Sequence, residues 1–371
     1  MLIVQIVPKL PPAIGGVEDY ALILARRLRS YFSIDTHFLV GDPSWEGEEK
    51  IEGFGVTRIS QRNATSLLSS LPPNTGKILL HYVGYGYAKR GCPLWLIEGL
   101  ERWRSQSQER FLVTMFHEVY AGGRPFWTSA FWLFPLQKNI ATRLVKLCDR
   151  ALTSVQLYAE ILTLLSQGKH SYIPSLPVFS NVGEPLEVEP LTARKRQLVV
   201  FGGRSKRLQA YQQAATLNKV CQLLDIETIL DIGTPTNLNF STISRIPVTE
   251  MGKLSSAEIS QIMLDSVAGF FVNRPELLAK STIFAAYCAH GLIPVNAYSN
   301  PQSTDGKEAE KSSWIPELEP KTLKIAKKVH SEAKVVFQEI ANNAFSSYHK
   351  HDLSTHAQKF ATYFFSDDRE K

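Results

Sequence analysis

Six basic residues and no acid lie between Arg194 and Arg207 in RKRQLVVFGGRSKR. Three of them, Arg204, Lys206 and Arg207, directly follow Gly202-Gly203 at the end of the strand-like run Leu198–Phe201. A guanidinium grips phosphate oxygens through a planar fork, and glycines let a backbone approach a ligand closely. A second stretch, PELLAKSTIFAAYCAHGLIPV (275–295), sets Lys280-Ser281-Thr282 where an apolar helix would begin. Ser or Thr caps such a helix, and its dipole favours an anion. With Gly203, Arg204 and Lys206 on a neighbouring strand end, Lys280, Ser281 and Thr282 make a candidate diphosphate site. The middle of the second stretch is what a helix packed on its sheet requires.

Two histidines close apolar runs. His81 ends KILLH and is followed by GYGYAKRG, while His117 follows FLVTMF. Open parallel sheets bind ligands beyond the carboxyl ends of their strands, which makes both histidines candidates, although a strand-end histidine is also a common structural residue. Gly15-Gly16 follows the first strand and precedes a helix whose first turn carries Glu18 and Asp19. This is either a ligand-approach loop backed by a helix N-terminus or a plain tight turn.

The positioning elements follow from periodicity. Strands are predicted at Leu2–Val7, Thr36–Val40, Lys77–Val83 and Phe111–Phe116. Helices are predicted at Val17–Arg29, Leu136–Leu147 and Ser154–Leu165. In the first helix Ala21, Leu24, Ala25 and Leu28 recur on one face at the 3.6 period. After a Pro-rich stretch the rhythm restarts, with strands at Leu198–Phe201, Glu227–Asp231, Ala268–Val272 and Ile293–Val295. Helices at Ala210–Leu224, Ser255–Asp265, Thr282–His290, Lys321–Ala344 and His356–Phe365 complete it. The fold class is therefore α/β, with two doubly wound parallel-sheet (Rossmann-like) domains and a ligand cleft between them. The boundaries expected are 1–173, a linker at 174–196, 197–350, and a terminal segment at 351–371. Arg194–Arg196 would be the solvated end of the linker.

With 371 residues, 44% hydrophobic and 20% charged, the chain has the composition of a soluble globular protein. The start lacks a basic n-region, and no run approaches the ~18 to 20 apolar residues that span a bilayer. Four scattered cysteines without a C-x-x-C pair fit a reducing compartment, so a cytoplasmic location is expected. A net charge of +6 with no basic–aromatic stripe argues for no nucleic-acid partner, while allowing an anionic small ligand or peripheral contact with an acidic membrane. No G-x-G-x-x-G opens a helix, and neither G-x-S-x-G nor a P-loop is present.

The order of these motifs resembles the retaining glycosyltransferases of the GT-B fold, family 4 in particular, over nearly the whole chain. The resemblance rests on Gly15-Gly16, His117, the Pro-rich linker, Gly203-Arg204-x-Lys206, MGKLSSAEISQIM and AHGLIPV. It implies a two-domain GT-B enzyme that moves a sugar from a nucleotide-diphosphate donor without a metal ion or other cofactor. Arg204, Lys206, Lys280 and Ser281 would hold the diphosphate, and His117 and Gly16 would approach the donor sugar. The terminal helix would cross back to the first domain. A glycan or lipid-linked acceptor would sit on that domain near His81, Tyr85 and Tyr120, within a rim that includes Tyr87, Phe126 and Trp127. The family's two glutamates, eight positions apart, fall here on Leu278 and Ala286. Glu276 is the nearest carboxylate and the candidate to orient the sugar.

Overall fold

The computed structural model describes residues 1–13, 15–121, 127–237, 242–243, 245–298 and 330–365. The chain forms two compact units, one of residues 1–177 with 353–371, the other of residues 178–352. The first opens with β1 (Leu2–Val7), α1 (Gly16–Phe32), β2 (Asp35–Val40), β3 (Lys50–Ile51), β4 (Phe54–Arg58) and α2 (Ala64–Ser70). It continues with β5 (Lys77–Tyr82), α3 (Gly84–Tyr87), α4 (Leu94–Ser105), β6 (Phe111–Phe116), α5 (Ser129–Leu147), β7 (Arg150–Thr153) and α6 (Gln156–Ser166). GYGYAKRG, read as a loop, contains the single turn α3. The sheet order is β3-β4-β2-β1-β5-β6-β7, parallel except for the short β3–β4 pair. Alternating residues feed opposite faces, as a pleated strand requires. Val4 and Ile6 join one apolar cluster, whereas Val7 joins another that includes Ala21 and Ala25 of α1.

The second unit holds β8 (Lys195–Phe201), α7 (Arg204–Gln212), α8 (Ala214–Leu223), β9 (Thr228–Ile232), β10 (Thr242–Ile243), β11 (Ile246–Gly252) and α9 (Ser256–Asp265). Then come β12 (Ser266–Phe271), a 3-10 turn at Pro275–Lys280, α10 (Thr282–Ala289), β13 (Ile293–Asn296) and α11 (His330–Tyr348). Its sheet runs β10-β11-β9-β8-β12-β13, with only β10–β11 antiparallel. The expected single helix Ala210–Leu224 is two helices broken at Gln213, and the first of them begins earlier, at Arg204. Residues 321–329 of the expected Lys321–Ala344 helix lie outside the described residues. The terminal helix α12 (Leu353–Phe365) belongs to the first unit, where Arg27 donates to Ser354 and Lys77 to the carbonyl of Phe364.

Tyr287 hydrogen-bonds helix α10 to its sheet, beside the apolar packing of Ile283, Phe284 and Ala286. The Tyr287 hydroxyl donates to the Val199 carbonyl at 3.1 Å and accepts from the Phe201 amide at 3.0 Å. Its ring lies on Gly269 of β12, where an added Cβ would come within 2.5 Å of ring atoms. Gly269→Ala must therefore displace α10, and it should cost about 1 to 3 kcal/mol, as overpacking does. Chemical denaturation of wild type and variant checks this, and equal midpoints would contradict it.

Candidate functional site

In the second unit the strand order reverses between β8 and β12, the place where an open α/β sheet leaves a crevice at its carboxyl edge. Both strands lead there into a helix start. After β8, Gly202 takes a φ of +128°, and Gly203 caps α7 without a side chain and with open space around it. Arg204 and Lys206 stand exposed in the first turn. The Arg204 guanidinium donates to the Thr236 carbonyl at 3.2 Å. After β12, Lys280 ends the 3-10 turn and Ser281 caps α10, its hydroxyl accepting from the Phe284 amide at 3.2 Å. Thr282 is the first residue of α10.

Lys206 and Ser281 line one small recess, about 10 Å³, together with Asn273 and Ile283. Two helix N-termini thus meet at one sheet edge, where the unpaired N–H groups and the dipoles of both favour negative charge. Gly202 lets them approach, since a Cβ there would lie 2.5 Å from Ile283.

Two expectations in this unit are corrected. Arg207, counted with the strand-end cations, is 1% exposed and paired with Asp231, because its helix position turns it inward. Arg194 is buried rather than solvated. Its guanidinium donates to the carbonyls of Glu189, Ser266 and His290, and burial lowers its pKa to about 10, which leaves it charged. Glu276, the candidate to orient the sugar, lies in the 3-10 turn and is ion-paired with Arg274. Leu278 and Ala286 are both buried in the apolar cluster that contains Met263 and Phe271.

In the first unit the order reverses between β1 and β5. His117 follows β6 and is 8% exposed. His81 has no exposed surface, which corrects its placement beside an acceptor: it faces inward from β5 against Gln5, His117 and Tyr20. Burial pushes its pKa down to about 3.

Gly15 caps α1, and Gly16 faces open space. The first turn of this helix carries its own Glu18, whose carboxyl lies against Gly15 and whose pKa burial raises. Of the aromatic rim, Tyr85 is 45% and Trp127 73% exposed, whereas Tyr87 is wholly buried, its hydroxyl donating to the carbonyls of Ile6 and His81. The Tyr120 ring packs on Phe134 at 5.1 Å. Phe126 lies outside the described residues.

The sequence reading overlooked Gln5, Tyr20 and Thr36. Gln5 did carry a signal, as the one polar residue within LIVQIV.

No protein-family model matches the chain, and no curated protein matches it in sequence. Solved structures do match. Anabaena HepE in complex with UDP is 13% identical, covers 99% of this chain and 100% of its own, and has a TM-score of 0.63. WaaG, a glycosyltransferase involved in lipopolysaccharide biosynthesis, is 12% identical, with the same coverages and a TM-score of 0.58. An alpha-glucosyltransferase in complex with UDP and a 13-mer DNA is 11% identical over 98% of this chain and 99% of its own, with a TM-score of 0.57. The fold is that of GT-B glycosyltransferases, an α/β pair of parallel-dominated sheets. The DNA complex overturns the expectation of no nucleic-acid partner: a mild net charge does not exclude DNA for a chain of this fold. Among the described residues no helix is long and apolar enough to cross a membrane.

The buried histidines make stability pH-dependent. Burial holds His81 near 3 and lowers His290 to about 4, both below the ordinary 6.5. Unfolding then takes up protons, so their contribution is complete above 6.5 and is lost as pH falls toward 4. Melting temperature should fall between about pH 7.5 and 5, and His290→Gln should shrink that fall. A flat profile would contradict the assignment.

Proposed function

We propose that the chain transfers a sugar from a nucleotide-diphosphate donor, with retention of configuration and without a metal ion. The observation that carries this reading is the shared recess of Lys206 and Ser281 at the β8–β12 switch point. Arg204, Lys206, Lys280 and the N–H groups of α10 would take up the charge that grows on the departing diphosphate, the work a metal ion does elsewhere. Gly15 and Gly16 would admit the uncharged sugar rather than a phosphate, since Glu18 already occupies that helix end. His117 would contact a sugar hydroxyl, and Glu276 would orient the sugar as a hydrogen-bond acceptor. HepE and the alpha-glucosyltransferase, both solved with UDP, support a uridine nucleotide.

A second reading has its own support. Leu278 and Ala286 stand in the core where the family has glutamates, which favours a protein that binds a nucleotide sugar, or a partner glycosyltransferase, without turning it over. Release of free UDP from UDP-sugars separates the two.

Calorimetry with UDP should show Lys206→Ala and Lys280→Ala each weaker by about 1.5 to 3 kcal/mol, the size of a hydrogen bond to a charged group. Unchanged affinity in both would remove the diphosphate assignment. His117→Ala and Glu276→Gln should lower turnover while UDP affinity stays, because neither touches the phosphates. Wild-type turnover in either would withdraw that residue's role.

A glycan or lipid-linked acceptor at the cytoplasmic face of a membrane fits the surface of α5. Trp132 is 72% and Phe131 45% exposed at its start, Lys138 and Lys146 are exposed farther along, and the helix has no acid. Aromatic rings at the headgroup level and lysines on anionic lipid are the features of a peripheral contact. Sedimentation with vesicles of anionic phospholipid should retain the wild type and lose Trp132→Ser, and equal retention would remove the contact.

A further inference from the structure

Strand β13, IPVN, ends in an asparagine with no exposed surface. A buried amide left unpaired costs about 1 to 3 kcal/mol, so Asn296 persists there because its bonds are made. Both go to one residue. Asn296 Oδ1 accepts from the Asn273 backbone N–H at 3.0 Å, and Asn296 Nδ2 donates to the Asn273 carbonyl at 2.8 Å. A backbone N–H only donates and a carbonyl only accepts, so the Asn296 side chain has one orientation. It fixes the main chain just past β12, 23 positions away in sequence.

The side chain of Asn273 is oriented by the same logic. Its Oδ1 accepts from the Arg274 backbone N–H at 3.1 Å, a group that cannot accept in return. Nδ2 keeps both of its hydrogens and bonds to none of the described residues.

Asn273 lines the recess at the β8–β12 switch point together with Lys206 and Ser281, while Val200 and Phe270 give it apolar walls. A volume of about 10 Å³ is room for roughly one water-sized atom. The polar side chains around such an atom are Lys206, Arg207, Asn273 and Ser281, and Arg207 is already spent on Asp231. Ser281 Oγ accepts from the Phe284 N–H, which leaves its own hydrogen to donate. Every remaining side chain thus offers hydrogens, and the first-turn N–H groups of Thr282 and Ile283 add to them. A set of donors suits an oxygen that carries no hydrogen itself. A phosphate oxygen is such an atom, whereas a water or a sugar hydroxyl is not.

We propose that Asn273 Nδ2 donates to one phosphate oxygen of the nucleotide, seated in this recess, and that Asn296 is the positioning residue behind it. The proposal rests on the reading of the recess as the diphosphate site. Lys206 attracts any anion over a range of positions. The amide carries no charge and acts only at hydrogen-bond distance, so it selects where the oxygen sits. Because Asn296 holds both backbone groups of Asn273, that place is set from the buried end of β13.

Calorimetry with UDP on the full chain tests both roles. Asn273→Ala keeps the two backbone bonds to Asn296 and should bind UDP about 10-fold more weakly, the loss of one hydrogen bond to a charged group. Asn273→Asp should bind it more weakly than the alanine variant, since a carboxylate oxygen then replaces Nδ2 beside the phosphate. Asn296→Ala should weaken UDP binding in the wild-type background and add nothing in the Asn273→Ala background. A merely structural loss would weaken both alike, and that result would remove the positioning role. Wild-type affinity in Asn273→Ala, beside a weakened Lys206→Ala, would overturn the proposal and leave the diphosphate reading in place. Wild-type affinity in both of those variants would overturn the two together.

Discussion

The buried guanidinium of Arg207 is the interaction on which the second unit's carboxyl edge depends. It reaches three chain segments at once: the Gly202 carbonyl at 2.9 Å, the Asp231 carboxylate on β9, and the Thr234 carbonyl beyond it. The glycine turn after β8, the end of β9 and the loop that carries the Arg204 partner Thr236 are therefore one rigid body. Gly233 makes room for it, since a Cβ there would stand 2.8 Å from Arg207 Nε. Burial raises the Asp231 pKa and the guanidinium opposes that rise. Neither charge is tolerable alone, because breaking a buried pair leaves a charge uncompensated at a cost of about 3 to 5 kcal/mol. Arg207 thus contributes through geometry, by aiming the helix on which Arg204 and Lys206 sit.

The two units treat their sheet edges oppositely. In the second, exposed cations and two helix ends create a positive field with little structure behind each charge. In the first, Thr36, Gln5, His81 and His117 are buried and bonded in a row, and the first turn of α1 carries its own acids, Glu18 and Asp19. A diphosphate and an uncharged sugar differ in this same sense. Charge is met by field, which tolerates imprecise placement. Hydroxyl groups are met by directed bonds, which need fixed tautomers and rotamers.

What could be read from the sequence was set by local chemistry. Phe111–Phe116 and Lys77–Tyr82 are apolar almost without interruption, as strands covered on both faces must be. Ser255 and Glu258 spell a reciprocal cap three residues apart. Pairing at a distance was not legible. Arg207 looks like Arg204 until Asp231, 24 residues away, is seen beside it. Arg194 sits among basic residues in a Pro-rich stretch, yet the carbonyls that bury it come from Ser266 and His290. His81 was correctly placed at a strand end, but parity alone does not reveal that α1 covers its face. Strand β11, with only intermediate and exposed positions, has no apolar run to mark it.

The return of α12 to the first unit has a consequence for how the chain is made. Synthesis delivers residues 1–177 long before 353–365, and domains generally fold as their residues emerge. Until the last helix leaves the ribosome, the Tyr20 hydroxyl lacks His356 and the Pro177 carbonyl lacks its donor. The second unit, continuous in sequence, can close first. The amino-terminal unit is thus the one completed last, and a ribosome that stops early releases a finished second unit beside an unfinished first one.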